Sequence, residues 1–66
     1  MEKIWVEIKY PIWSIHVEAV EIEIPKGVDI AGYVYDNERR ILIEHGADET
    51  SLGTQIDLGY AGIRLL

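Results

Sequence analysis

Histidines, carboxylates and hydroxyls are the side chains in this chain that could do chemistry, because it contains no cysteine. His16 stands two residues before Glu18, so on an extended strand the two project the same way. His45 follows Glu44 and precedes Asp48 and Glu49. Zinc needs three or four converging ligands, and no H-x-x-x-H or equivalent spacing occurs. The calcium-loop pattern of alternating acids around a glycine is also missing. Both histidines therefore read as hydrogen-bonded surface groups, and no metal or cofactor is expected. Among the hydroxyls, Ser51 could meet His45 and Asp57, but Ser14, Thr50, Ser51 and Thr54 all lie outside any G-x-S-x-G elbow. A chain this short also seldom encloses the roughly 300 Å³ of a small-molecule site. Neither G-x-G-x-x-G nor G-x-x-x-x-G-K is present to cradle phosphate. Arg39 and Arg40 adjoin Asp36 and Glu38 and read as local ion pairs. The expectation is a protein with no catalytic residues.

Charge is the clearest global signal. The 66 residues hold 12 acids against 6 bases, a net charge of −6. Phosphate binding needs Lys and Arg to displace counterions, so direct binding of nucleic acid is not expected. An acidic chain favours basic partners or plain solubility. Glu21 and Glu23 fall on one strand face, roughly 6.6–7 Å apart by the strand rise. Trp5 sits with the polar residues of its strand, where an aromatic is the residue type of an interface hot spot. The candidate partner-binding set is Glu21, Glu23, Trp5, Glu7, Asp36 and Glu38, docked on a basic protein surface. A solvated surface that keeps a small domain soluble explains the same acids without a partner. Trp13 reads as core.

Strands must position these residues. In residues 3–10, Ile4, Val6, Ile8 and Tyr10 share a face, and Pro11 ends the run. Residues 13–24 read as one long strand whose apolar phase flips, from Trp13, Ile15, Val17 and Ala19 to Val20, Ile22 and Ile24. A β-bulge near Ala19 would supply the extra residue and bend the strand. Pro25-Lys26-Gly27 is a turn. Residues 30–35 and 40–45 read as a hairpin around a loop at 36–39, and 55–58 and 63–66 as short strands. Residues 48–52 could form one helical turn. No window sustains a helical apolar period better than a period of two. The expected fold is all-β: a small antiparallel, five- to six-stranded, partly open barrel or curled sheet of SH3-like or OB-like size. Residues 1–66 form a single domain, and the apolar end 63–66 leaves room for a homodimer through that terminal strand.

One stretch carries a family resemblance. Ile56-Asp57-Leu58-Gly59-Tyr60-Ala61-Gly62 resembles the I-D-x-G-[YF]-x-G motif of the dUTPase and dCTP deaminase superfamily. By that resemblance Asp57 would orient water or a deoxyribose hydroxyl, and Tyr60 would pack on the sugar. Arg39, with Leu42 and Gly46 after it, stands where that family has R-S-S-L-x-x-x-G, but Arg40 and Ile41 replace the serines. The family's downstream strands would lie beyond Leu66.

The function expected from these features is a small, acidic, non-enzymatic interaction module. Its most concrete form is an inhibitor or adaptor that docks a carboxylate-rich face on a basic, nucleic-acid-binding protein. In size and acidity it is similar to phage-encoded inhibitors, including anti-CRISPR proteins that mimic nucleic acid. A ligand-free designed or structural mini-barrel fits the composition too, and a nucleotide-binding relic using Asp57 and Tyr60 is the second alternative. No apolar run approaches the ~20 residues of a membrane span. The start M-E-K-I-W-V-E lacks the pattern of a signal peptide, so the cytoplasm, a host cell's if the chain is phage-encoded, is the expected location.

Overall fold

A computed structural model describes residues 1–66. Its element order is β1 (Glu2–Pro11), β2 (Ile15–Ile24), α1 (Ile30–Asp36), α2 (Glu38–Glu44), α3 (Glu49–Asp57) and β3 (Gly62–Leu65). The strands form one open antiparallel sheet in the order β2-β1-β3. The all-β barrel expected from the sequence is therefore wrong. Residues 30–35 lie in α1, 40–44 in α2 and 55–57 in α3, not in strands, with His45 and Leu58 as C-caps, and of the expected loop 36–39 only Asn37 lies between α1 and α2. The strand at 3–10, the turn after Ile24 and the terminal strand stand where the sequence put them.

The helices are set by their ends. The Asp29 carboxylate accepts from the Gly32 N–H at 3.0 Å and starts α1. Asn37 ends α1, with its side-chain amide donating to the Tyr33 carbonyl at 2.8 Å. Asp48 starts α3 by accepting from the Thr50 N–H at 3.1 Å. Both α2 and α3 stop at a left-handed glycine, Gly46 (φ 108) and Gly59 (φ 81). In α2 the Gly46 N–H donates to the Ile43 carbonyl and the Ala47 N–H to that of Leu42. In α3 the Gly59 N–H donates to the Ile56 carbonyl and the Tyr60 N–H to that of Gln55. These are paired Schellman closures, which only a residue at ease with positive φ completes cheaply.

The helices cover one face of the sheet. Val6, Ile8 and Tyr10 of β1 and Ile22 and Ile24 of β2 meet Val34, Ile41, Leu42 and Leu52 in a single core. The Tyr10 hydroxyl donates to the His45 carbonyl at 2.6 Å, which ties the far end of β1 to the end of α2.

The bulge near Ala19 is also absent. Every β2 residue from Ile15 to Ile24 pairs in one unbroken register, Pro11 with Ile15 through Glu2 with Ile24. The apolar phase flips for another reason: the cover ends. Near Ile22 and Ile24 the even-numbered side chains face the helices and are buried. Beyond Val20 the helices cover β1 but no longer the edge strand β2: Ile8 and Tyr10 stay buried, while their cross-strand partners Glu18 and His16 replace apolar residues on that side. The molecule measures 36 Å in its long dimension, close to ten strand residues at ~3.3 Å each. Trp13, expected in the core, lies fully exposed at the hairpin tip.

Leu42 is completely buried and closes the α2 terminus, so Leu42→Ala should cost about 2–5 kcal/mol in urea denaturation. Trp13→Ser, at a site with no native contacts to lose, should stay within about 0.5 kcal/mol of the parent.

Candidate protein-interaction face

The uncovered face of the sheet collects most of the candidate residues. Trp5 and Glu21 are direct cross-strand partners, as are Lys3 and Glu23. Glu7 lies on the same face two residues after Trp5 and pairs across β3 with Arg64, oxygen to nitrogen at 3.2 Å. Trp5, Glu7, Glu21 and Glu23 are thus brought together. Asp36 and Glu38 are not: they stand at the α1–α2 joint. A Glu38 oxygen accepts from the Ile63 N–H at 3.2 Å, so this carboxylate anchors the start of β3.

Acids and bases balance on the open face. Glu7, Glu21 and Glu23 share it with Lys3, Lys9 and Arg64. The surplus sits in the helical stretch instead. Asp29, Asp36, Glu38, Glu44, Asp48, Glu49 and Asp57 face only Arg39 and Arg40 there, so residues 29–57 hold −5 of the net −6. Much of that charge serves local structure. Asp29 and Asp48 cap helices, and Glu44 accepts from Arg40 at 2.8 Å. The Glu44 hydrogen bond holds the Arg40 guanidinium above its ordinary pKa. Hydrogen bonds from the Thr50 hydroxyl, the Thr50 N–H and the Ser51 hydroxyl hold the Asp48 carboxyl below its ordinary range.

Two features of the surface escaped the sequence reading. The first is a cleft of about 530 Å³ beside Trp5, walled also by Ile4, Ile30, Leu65 and Leu66. It exists because β3 is too short to flank the first residues of β1, and no sequence signal specifies that. The second is the hairpin tip, where Ile12, Trp13, Ile15 and Val17 are all exposed. The flip in apolar phase marks it, once read as the end of cover.

The histidines do not converge with other ligands. His16 Nε2 lies 3.0 Å from a Glu18 oxygen, and no three His, Asp or Glu side chains form a metal-sized group. Asp57 ends α3, and Gly59-Tyr60 is the closure of that helix, so the residues of the dUTPase-like motif form a helix stop. No helix is long and apolar enough to cross a membrane. No protein-family model, curated protein or solved structure matches this chain.

The lowered Asp48 value has a consequence for stability. Its contribution is complete above the unfolded-state value of about 3.9 and is lost as pH falls through the lower folded-state value. Asp48→Asn keeps the capping oxygen but cannot ionise. The parent should exceed this variant in urea-denaturation stability at pH 7, and the gap should close by pH 2.

Proposed function

We propose that the protein is a small, non-enzymatic binding module that docks on a basic protein through the open face around Trp5. The observation that carries this reading is Trp5 itself, 55% exposed in mid-strand, with Glu21 directly across from it and an apolar cleft beside it. An aromatic anchor next to an apolar cleft, with charges at its margin, has the composition of an interface hot spot. The net −6 supplies long-range attraction to a positively charged partner, and Trp5 supplies short-range contact. A nucleic-acid-binding protein of the cytoplasm is the partner class whose surface is most consistently basic. Docking there would block nucleic acid by occupying its site.

Affinity capture from the native host with the parent and a Trp5→Ala/Glu21→Lys/Glu23→Lys variant tests the assignment. A basic protein should be held by the parent, released by rising salt and by added DNA, and held at least tenfold more weakly by the variant. A partner retained equally by both would remove the open face from the interaction.

A further inference from the structure

We infer that two copies of this chain pair through the free edge of β2 to form one continuous six-stranded sheet. The edge is unusually open. Because β1 lies at the centre of the sheet, β2 has a neighbour on one side only. The Leu66 N–H donates to the Trp5 carbonyl, so odd-numbered β1 residues direct their backbone groups toward β3. Even-numbered β1 residues then bond β2, and the register pairs them with even-numbered residues of β2. The N–H and C=O groups of Ile15, Val17, Ala19, Glu21 and Glu23 are therefore directed outward, with no strand to receive them. Monomeric proteins guard such an edge with Pro, charged side chains (Lys above all), a bulge or a short strand. The ten residues of β2 contain no Pro and no Lys and their register is unbroken; their charges are Glu18, Glu21 and Glu23, which a pairing centred on Val17 keeps apart from one another.

Charge and apolarity select the register. A two-fold axis normal to the sheet keeps odd residues opposite odd and even opposite even. Centring it on Glu18 or Glu21 sets a carboxylate against itself, and centring it on Ile22 sets Glu21 against Glu23. Centring it on Ala19 or Val20 places Val17 against a carboxylate. The axis at Val17 avoids all of these. It pairs Val17 with Val17 and Ile15 with Ala19 on the open face. On the other face it sets His16 against the partner's Glu18, twice by symmetry, as a non-hydrogen-bonded pair in which side chains approach most closely. Ile15 and Val17, 45% and 52% exposed in the single chain, are then covered. Along this half of β2 the helices lie over β1 and not over β2 itself, since Glu18 is exposed beside buried Ile8, so the helical layers stand back from the shared axis.

The test is the mass in solution, by light scattering at physiological ionic strength, across a concentration series. The parent should reach twice the chain mass of 7.5 kDa. Val17→Pro removes only an outward N–H, so it should stay monomeric with an unchanged circular dichroism spectrum. Glu18→Lys should also be monomeric, and His16→Glu/Glu18→Lys should recover the dimer. Amide exchange on the parent gives an answer that needs no variant: the N–H groups of Val17 and Ala19 should gain protection as concentration rises. A parent that stays monomeric at millimolar concentration would overturn the proposal. So would a dimer that survives Val17→Pro, or one whose concentration-dependent protection falls on β3.

Discussion

Everything in this molecule follows from how little it has with which to cover its sheet. Three short helices protect one face, and only as far as Tyr10 on the central strand. The Tyr10 hydroxyl bound to the His45 carbonyl marks that limit. Inside it, Val6, Ile8 and Tyr10 of β1 and Ile22 and Ile24 of β2 are buried and apolar. On the edge strand the cover stops sooner, after Val20: from Ala19 back to Ile15 the apolar residues of β2 lie on the odd-numbered side, although Ile8 and Tyr10 beside them remain buried. A domain this small leaves a large share of its surface in water. Here the unprotected share is concentrated in an open sheet face, a free edge and a projecting tip.

The same limit explains where charge resides. The helices are too short to be held by propensity, so their ends are secured by side chains and glycines. Carboxylates are the capping groups at Asp29 and Asp48, and Glu38 and Glu44 make further local contacts. The acidity of the helical layer is therefore in part a structural requirement. On the sheet, Glu7 with Arg64 and Glu23 opposite Lys3 keep the open face balanced. Trp5 stands in that face between the charged rows and an apolar cleft, which is why it and not the carboxylates dominates the proposed contact.

Local features were legible in the sequence and long-range ones were not. The alternation of Ile4, Val6, Ile8 and Tyr10 marked β1, Pro25-Lys26-Gly27 marked the turn, and 63–66 marked the last strand. Trp5 was readable as a surface aromatic because it broke the alternation. The helices were missed because α1 and α2 have only seven residues each and carry β-branched and aromatic side chains. In such short windows, periods of two and 3.6 cannot be separated. Better signals were present at the ends: Asp48 before Thr50, Gly46 just after His45, and Gly59 just after Leu58 are start and stop marks. In the sequence Gly59 stands out instead as part of the Ile56–Gly62 motif.

The sequence by itself determined the local geometry: a long first strand, a tight turn at Gly27, helix caps at Asp29 and Asp48, and stops at Gly46 and Gly59. Each of these depends on residues within a few positions of one another. Only the tertiary structure decided which face of the hairpin is covered and for how far. That depends on contacts such as Tyr10 to His45 and Glu38 to Ile63, between residues distant in the chain. It therefore also decided that Trp5, Glu7, Glu21 and Glu23 share an open face while Asp36 and Glu38 do not. An apolar residue at a strand position reads the same whether a helix lies over it or water does.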